Sequence, residues 1–450
     1  MNYEALFSRA GDKTVRVGLV GVGDFGASLL ARSRAIPNLG ITVICDRDAG
    51  RMAAAVAASG IDHDEIVTTE DITDSGVPEF DVPEFDVLVE ATGHPQAAAA
   101  AAEWAIGRGR HVVMASKEAA IVVGPILHQL AREQGVVYTE VEGDQPSLLI
   151  GLISWAKTLG LTVTAAGKSS EYDFVIDDDG LEWRGERRST PGLTGLWRES
   201  GQGWGALCAS RAAALKAAGL PRRTVPDFCE MGVVANATGL MPDRPDFHAP
   251  LLRPLEGADA LRPKTQGGLL DGIGLIDVFN CLRRTDEASF AGGVFVVVRC
   301  DDEKTWTLLK EKGHIVSGDG RTAMLYNPQH LLGIEAPISI LSAGLLGLPT
   351  GATAPRPVVD LVARTRRDFK KGEVLAITDP HHHEVDGLSP ELIAAQPLVD
   401  DNPCPYYLAV DRTLLEDVPA STVLTAGMLD LDPEQPLFRL RRRRDRAFLT

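Results

Sequence analysis

The stretch Val15 to Asp46, VRVGLVGVGDFGASLLARSRAIPNLGITVICD, decides how the chain must begin to fold. A β-branched run, Val15 to Val20, ends in Gly21-Val22-Gly23-Asp24-Phe25-Gly26, and an Ala/Leu-rich helical pattern follows. A second apolar run, Ile41 to Cys45, closes on an acid, Asp46. Gly21 permits a tight turn, Gly23 lets the backbone approach a pyrophosphate, and Gly26 lets the helix pack close to the strand. Free N–H groups at the helix start, around Asp24 and Phe25, suit phosphate oxygens. Asp46 stands where a carboxylate accepts hydrogen bonds from adenosine ribose hydroxyls. The stretch therefore predicts a βαβ unit that binds a dinucleotide. Asp46 should repel a 2′-phosphate, which favours NAD, while the neighbouring Arg47 leaves NADP open.

Working outward, 450 residues exceed one typical core, so two or three domains are expected. A hydrophobic content of 44% with 24% charged residues describes a globular chain. The net charge of −17 argues against a nucleic-acid partner, because phosphate contacts need a basic surface. Six cysteines without a CxxC pair suggest a reducing compartment, with neither a disulfide framework nor a zinc ribbon. No secretory signal is read at MNYEALFSRAGDK, and Ile338 to Leu348 is too short to span a bilayer. A cytoplasmic protein without a membrane partner is expected.

A leading helix is expected within residues 1–14, and the tandem VPEFD from Val77 to Asp86 reads as a surface loop. The strand Asp86 to Glu90 runs into Thr92-Gly93-His94, a turn expected to face the nicotinamide side of the crevice. Alternating strands and helices continue to residue 140 and imply a doubly wound parallel sheet, the Rossmann arrangement. Beyond it the pattern becomes α+β. Thr162 to Ala166 reads as a strand that ends in Gly167-Lys168-Ser169-Ser170, and Gln329 to Leu345 reads as an apolar helix. The prolines between Pro349 and Pro357 mark a boundary, after which short strands and turns form a small β-rich module. The expected domains are 1–145 (cofactor), 146–350 (substrate, catalysis and oligomerisation) and 355–450 (β module and tail). The arginine-rich tail, Arg439 to Arg446, reads as a solvated strand end or an electrostatic latch.

Hydride transfer needs a side chain that gives or takes the proton of the substrate oxygen. Lys117, after a sheet strand, and Lys168, after a glycine, are the candidates, with Glu230 as a carboxylate that could form a relay. Lys117 also borders the expected cofactor site. Asn236, Thr238 and Asp271, with Lys168, are candidates for the substrate pocket, and Asp277 for the same cleft. The cluster His381-His382-His383-Glu384 reads as an exposed loop, since consecutive residues point to different sides and rarely chelate one ion. No metal-ligand set is read from the residues.

With these residues laid out, the chain resembles the homoserine-dehydrogenase-like oxidoreductases that carry a C-terminal SAF (β-clip) domain. The NAD-binding likeness lies in GLVGVGDFG, DVLVEATGHP and HVVMASKEA, where Lys117 matches the family's active-site lysine. Residues 355–432 resemble the SAF module. The middle, through AGKSSEYDF, EMGVVANATGL and KTQGGLLDGIGLIDVF, is similar to the DXR-like (1-deoxy-D-xylulose 5-phosphate reductoisomerase-like) family. That resemblance implies NADPH and a divalent metal, but Ser170 and Asp271 stand where its pattern has lysines. The leading expectation is an NAD(P)-dependent oxidoreductase acting on a small hydroxylated carbonyl or sugar-acid-like substrate, as a homo-oligomer. The alternatives are a reductoisomerase-like enzyme and a non-catalytic dinucleotide-sensing protein.

Overall fold

β1, Val15–Val20, is apolar apart from Arg16 and buried from Val17 onward, as a strand central to a covered parallel sheet must be. Val15, Val17 and Leu19 are fully buried. β2 (Leu39–Cys45), β3 (Val67–Thr69), β4 (Val87–Glu90), β5 (His111–Met114) and β6 (Tyr138–Glu140) complete a six-stranded sheet of order β3-β2-β1-β4-β5-β6. Every ladder in it is parallel. The strand order reverses between β1 and β4, the switch point at which such sheets open a ligand crevice. This is the α/β arrangement expected from the sequence. The computed structural model describes residues 2–62, 67–69, 84–177, 180–188, 196, 203–379 and 381–449. Most of the VPEFD repeat lies outside them.

By contact density the chain divides into two units, one of Met1–Ser147, Asn236–Thr238 and Leu331–Thr450, the other of Leu148–Ala235 and Gly239–His330. The residues expected as a separate C-terminal module thus cluster with the dinucleotide-type sheet. Within that first unit the leading segment is only a short helix, Tyr3–Phe7, with a 3-10 turn after it. The apolar helix expected over 329–345 is broken into a 3-10 turn, the helix Ala336–Leu341 and a π-turn. Close packing explains the breaks: a Cβ on Gly333 would lie 2.2 Å from the Phe25 carbonyl oxygen, and one on Gly344 would lie 2.6 Å from Val15.

The arginine tail is a helix, Pro436–Phe448, and it is a latch rather than a strand end. Arg441 and Arg444 are fully buried. Arg441 donates to both carboxylate oxygens of Asp360 at 2.8 Å, and Arg444 Nη1 donates to Asp360 Oδ1 at 3.0 Å. Asp360 sits on the strand Val359–Thr365, which pairs antiparallel with Leu388–Ala394. Burial opposes its ionisation, yet the two guanidinium groups outweigh burial and hold the carboxyl below its usual range.

The second unit is built on a nine-stranded mixed sheet. At its centre Val163–Asp177 lies parallel to Leu275–Arg284 and antiparallel to Val294–Arg299. The stretch Gly167 to Ser170, expected at a strand end, lies inside this fifteen-residue strand instead. Gly167 makes the continuation possible, because a Cβ there would come within 1.8 Å of the Asp277 carbonyl oxygen on the neighbouring strand.

Candidate functional site

The glycine turn forms as its residue types require. Gly21 has φ of +91°, and a Cβ there would lie 2.5 Å from the Ala91 carbonyl oxygen. A Cβ on Gly26 would meet the Gly21 carbonyl oxygen at 2.1 Å. Gly23 differs, since nothing lies within 4 Å of a Cβ placed on it. It caps the helix Asp24–Ser33 without a side chain, so no side-chain cap takes up the first helical N–H groups. That is a cradle for a phosphate.

Asp46 closes β2 and accepts from Val22 N at 2.8 Å and from Asp48 N at 2.9 Å. It thereby fixes the glycine turn as well as facing the crevice. A cavity of about 140 Å³ is lined by Gly21, Gly23, Asp46, Arg47, Thr92 and His94, six of the eleven residues expected at the cofactor. Arg51, which sequence reasoning passed over, lines it too. Across the crevice the Thr92 hydroxyl and amide both donate to Glu90, and Gly93, with φ of +67°, donates its N–H to Ser116 Oγ at 2.9 Å. The His94 ring caps the helix Pro95–Gly107 by accepting from Ala97 N, which requires an unprotonated nitrogen. Burial and then Arg47 lower its pKa accordingly.

Lys117 opens the helix Lys117–Glu133 directly after β5, in the same unit as the glycine turn. Its Nζ lies 3.8 Å from Asp144 Oδ1, and the side chain is only 20% exposed. A cation at a helix N-terminus opposes the macrodipole, and Asp144 offsets that cost. Next to it, Glu118 is buried and its pKa is raised to about 7 by burial, against the pull of Lys117. His383 Nδ1 stands 3.7 Å from Glu118 Oε1. Burial, then the charge of Lys117, lowers the His383 pKa to about 4, so the ring is neutral at pH 7.

The sequence does not single out Glu118, and it marks His383 only as part of the histidine cluster. Glu118 reads there as an ordinary first-turn acid, and only its burial distinguishes it. The histidine cluster was expected to be an exposed loop, yet His382 is 3% exposed and His383 packs edge-on against Tyr407. His382 Nδ1 lies 2.8 Å from Asp379, an aspartate three residues earlier that pins the turn inward.

In the second unit, Lys168 is fully enclosed between two acids. Its Nζ bonds Glu230 and lies 3.2 Å from Asp227 Oδ1. Asp227 also accepts from Ser170 Oγ at 2.8 Å and shares a capping box with Thr224. Burial raises the Asp227 pKa, and Lys168 pulls it back. Lys168 and Glu230 therefore meet as expected, but in a sealed cluster rather than an open strand end.

The other substrate candidates scatter. Asn236 Oδ1 accepts from Val358 N and Val359 N at 2.8 and 3.0 Å, which ties down the start of the strand Val359–Thr365. Thr238 is the last residue of the helix Val225–Thr238. Asp271 is exposed and paired with Lys264 at 2.5 Å. Asp277 is buried and accepts backbone N–H groups from His248 and Ala249 at 3.1 Å.

With this geometry in place, family models match two segments. Residues 18–140 match the homoserine dehydrogenase NAD-binding domain, and residues 226–336 match the catalytic domain of the oxidoreductase DRL. The chain thus carries an NAD-binding segment and an oxidoreductase catalytic segment. No curated protein matches the sequence. Among solved structures, biliverdin reductase from Synechocystis sp. PCC 6803 is similar at 22% identity over 37% of this chain and 49% of its own, with a TM-score of 0.25. The WlbA dehydrogenase from Bordetella pertussis matches at 21% identity over 36% and 48%, with a TM-score of 0.28. GenD2 from gentamicin A biosynthesis matches at 16% identity over 75% and 88%, with a TM-score of 0.36. The chain spans about half the length of the first of these. Among the described residues no helix is long and apolar enough to cross a membrane.

Proposed function

We propose that the protein transfers a hydride between NAD and a small hydroxylated carbonyl or sugar-acid-like substrate, and that Lys117 handles the proton of the substrate oxygen. The position of Lys117 carries this reading. It follows the carboxyl end of β5, one strand from the crevice, in the unit that holds the glycine turn. The dinucleotide, when bound, supplies or accepts the hydride. Gly23 and the helix start after it receive the pyrophosphate, and Asp46 takes the ribose hydroxyls. The Asp46 carboxylate favours NAD, while Arg47 and Arg51 beside it would meet a 2′-phosphate. Lys117 opens a helix whose dipole opposes its charge, and Asp144 holds it in place. In the second unit, Lys168 and Glu230 with Asp227 form a sealed polar centre that ties the strand Val163–Asp177 to the helix Val225–Thr238 and leaves no open face to a substrate.

The test is cofactor consumption by the purified protein against a panel of hydroxy acids, polyols and sugar acids. One arm contains 1-deoxy-D-xylulose 5-phosphate with Mn²⁺. Lys117→Met should lower kcat by roughly 10²- to 10⁴-fold and leave NADH affinity unchanged. A Lys117→Met enzyme with near-normal kcat would remove that residue from the proton transfer.

A further inference from the structure

Beside Lys117 lies a second acid that the proposed chemistry leaves unused. Glu118, in the first turn of the helix Lys117–Glu133, is 6% exposed, and its Oε2 is buried without a hydrogen-bond partner. The C-terminal part of the same unit closes over this end of the helix. The short helix Tyr406–Ala409 packs on the helix Lys117–Glu133. His383 Nδ1 stands 3.7 Å from Glu118 Oε1, beyond hydrogen-bond range, so the ring covers the carboxyl without satisfying it. His383 has φ of +52°, uncommon for a residue with a side chain, and its carbonyl oxygen accepts from the Tyr406 hydroxyl at 2.9 Å. Its ring packs edge-on against Tyr407. Such a backbone persists only where the surroundings over-determine it, and it clusters at active sites.

Four titratable groups face Glu118: Lys117 on its own helix, Glu90 at the end of β4, Asp144 beyond β6, and His383. Among these four Lys117 is the one cation at pH 7, since the His383 ring stays neutral. Burial resists ionisation of Glu118 most, Lys117 favours it, and Asp144 and Glu90 resist it again, so that its pKa is raised to about 7. The coupling works both ways, and an ionised Glu118 favours the charged form of the Lys117 amine.

Taking Lys117 as the proton-handling group, a reading on which this rests, we propose that Glu118 is its positioning residue. The ionised carboxylate holds the Lys117 amine in its charged form, the protonated carboxyl favours release of the proton, and His383 keeps water from the carboxyl. The C-terminal part of the chain thus supplies a residue that sets the pH response of the site.

The experiment is competitive labelling of the full chain with acetic anhydride between pH 6 and pH 9, with acetylation of Lys117 read by mass spectrometry. Only the uncharged amine reacts, so the rate reports the charge on Lys117 without any substrate. In wild type the rise of that rate with pH should slacken around pH 7, where Glu118 ionises. Glu118→Gln should match wild type at pH 6 and exceed it by about threefold or more at pH 8. A merely structural role for Glu118 would change both pH values alike. His383→Asn, which tolerates the positive φ, should move the slackening to lower pH by opening the carboxyl to water, and it keeps the test valid should Glu118→Gln fail to fold. A wild-type rise without slackening, an equal ratio at the two pH values, or slackening that His383→Asn leaves at pH 7 would overturn the proposal. Near-normal kcat in Lys117→Met would overturn the role of Lys117 itself, whereas equal ratios beside a slow Lys117→Met enzyme would overturn only the coupling to Glu118.

Discussion

At the scale of single residues, Glu118 carries a measurable consequence of its burial. Its pKa in the folded chain is about 7, against an ordinary 4.5, a gap worth roughly 3 kcal/mol. For an acid raised in this way, the folded state holds its proton more tightly than the unfolded one. Stability is therefore highest below about pH 4.5, falls as pH rises towards 7, and is level beyond it. Glu118→Gln removes the ionisation, so urea unfolding should show the variant gaining on wild type between pH 5 and pH 8 by up to that amount. An unchanged difference at the two pH values would mean that Glu118 is not the group responsible. Asp46 carries the second residue-scale prediction. Asp46→Asn removes the charge that repels a 2′-phosphate and leaves Arg47 and Arg51 in place, so NADPH affinity should rise by about tenfold relative to NADH. Paired titrations of the two cofactors check it, and an unmoved ratio would place the discrimination elsewhere.

At the scale of elements, the C-terminal helix is tied to the strand Val359–Thr365 through one carboxylate, Asp360. Asp360 and Asp445 together answer two fully buried arginines, so Asp360→Asn leaves two buried cations with a single acid. Removing one partner of a buried ion network costs about 3–5 kcal/mol, far more than an exposed pair. Denaturant unfolding should show that loss, whereas Lys264→Ala, which breaks an exposed pair, should change stability little. The sequence made the parallel sheet legible because buried strands, glycines and helix starts are local signals. It hid the arginine latch, since the acid outside the helix that answers Arg441 lies 81 residues away. It also misplaced the end of the strand through Lys168: a lysine in an apolar run looks like an edge until Asp227 and Glu230, far along the chain, are seen to enclose it. The helix expected over 329–345 failed for a similar reason, because the breaks answer to Phe25 and Val15 rather than to neighbours in sequence.

For the molecule as a whole, residues expected at the cofactor share one cavity, whereas those expected at the substrate do not come together. Gly21, Gly23, Asp46, Thr92 and His94 converge on one cavity as their motif requires. Lys168 and Glu230 met as expected, while Asn236 is consumed in tying down backbone and Asp271 lies exposed in an ion pair. Nothing in spacing distinguishes a polar residue that faces a ligand from one that completes the fold, and both uses occur here. The central claim, a dinucleotide seated on the Gly21–Gly26 turn, meets its most direct test at Gly23. That residue has φ of −64° and open space where a side chain would grow, so Gly23→Val can fold while filling the place of the pyrophosphate. Titrating NADH into wild type and Gly23→Val should show binding to the first and a loss of about a hundredfold or more in the second, with the unfolding curve little changed. Equal affinity in a folded Gly23→Val protein would contradict the account.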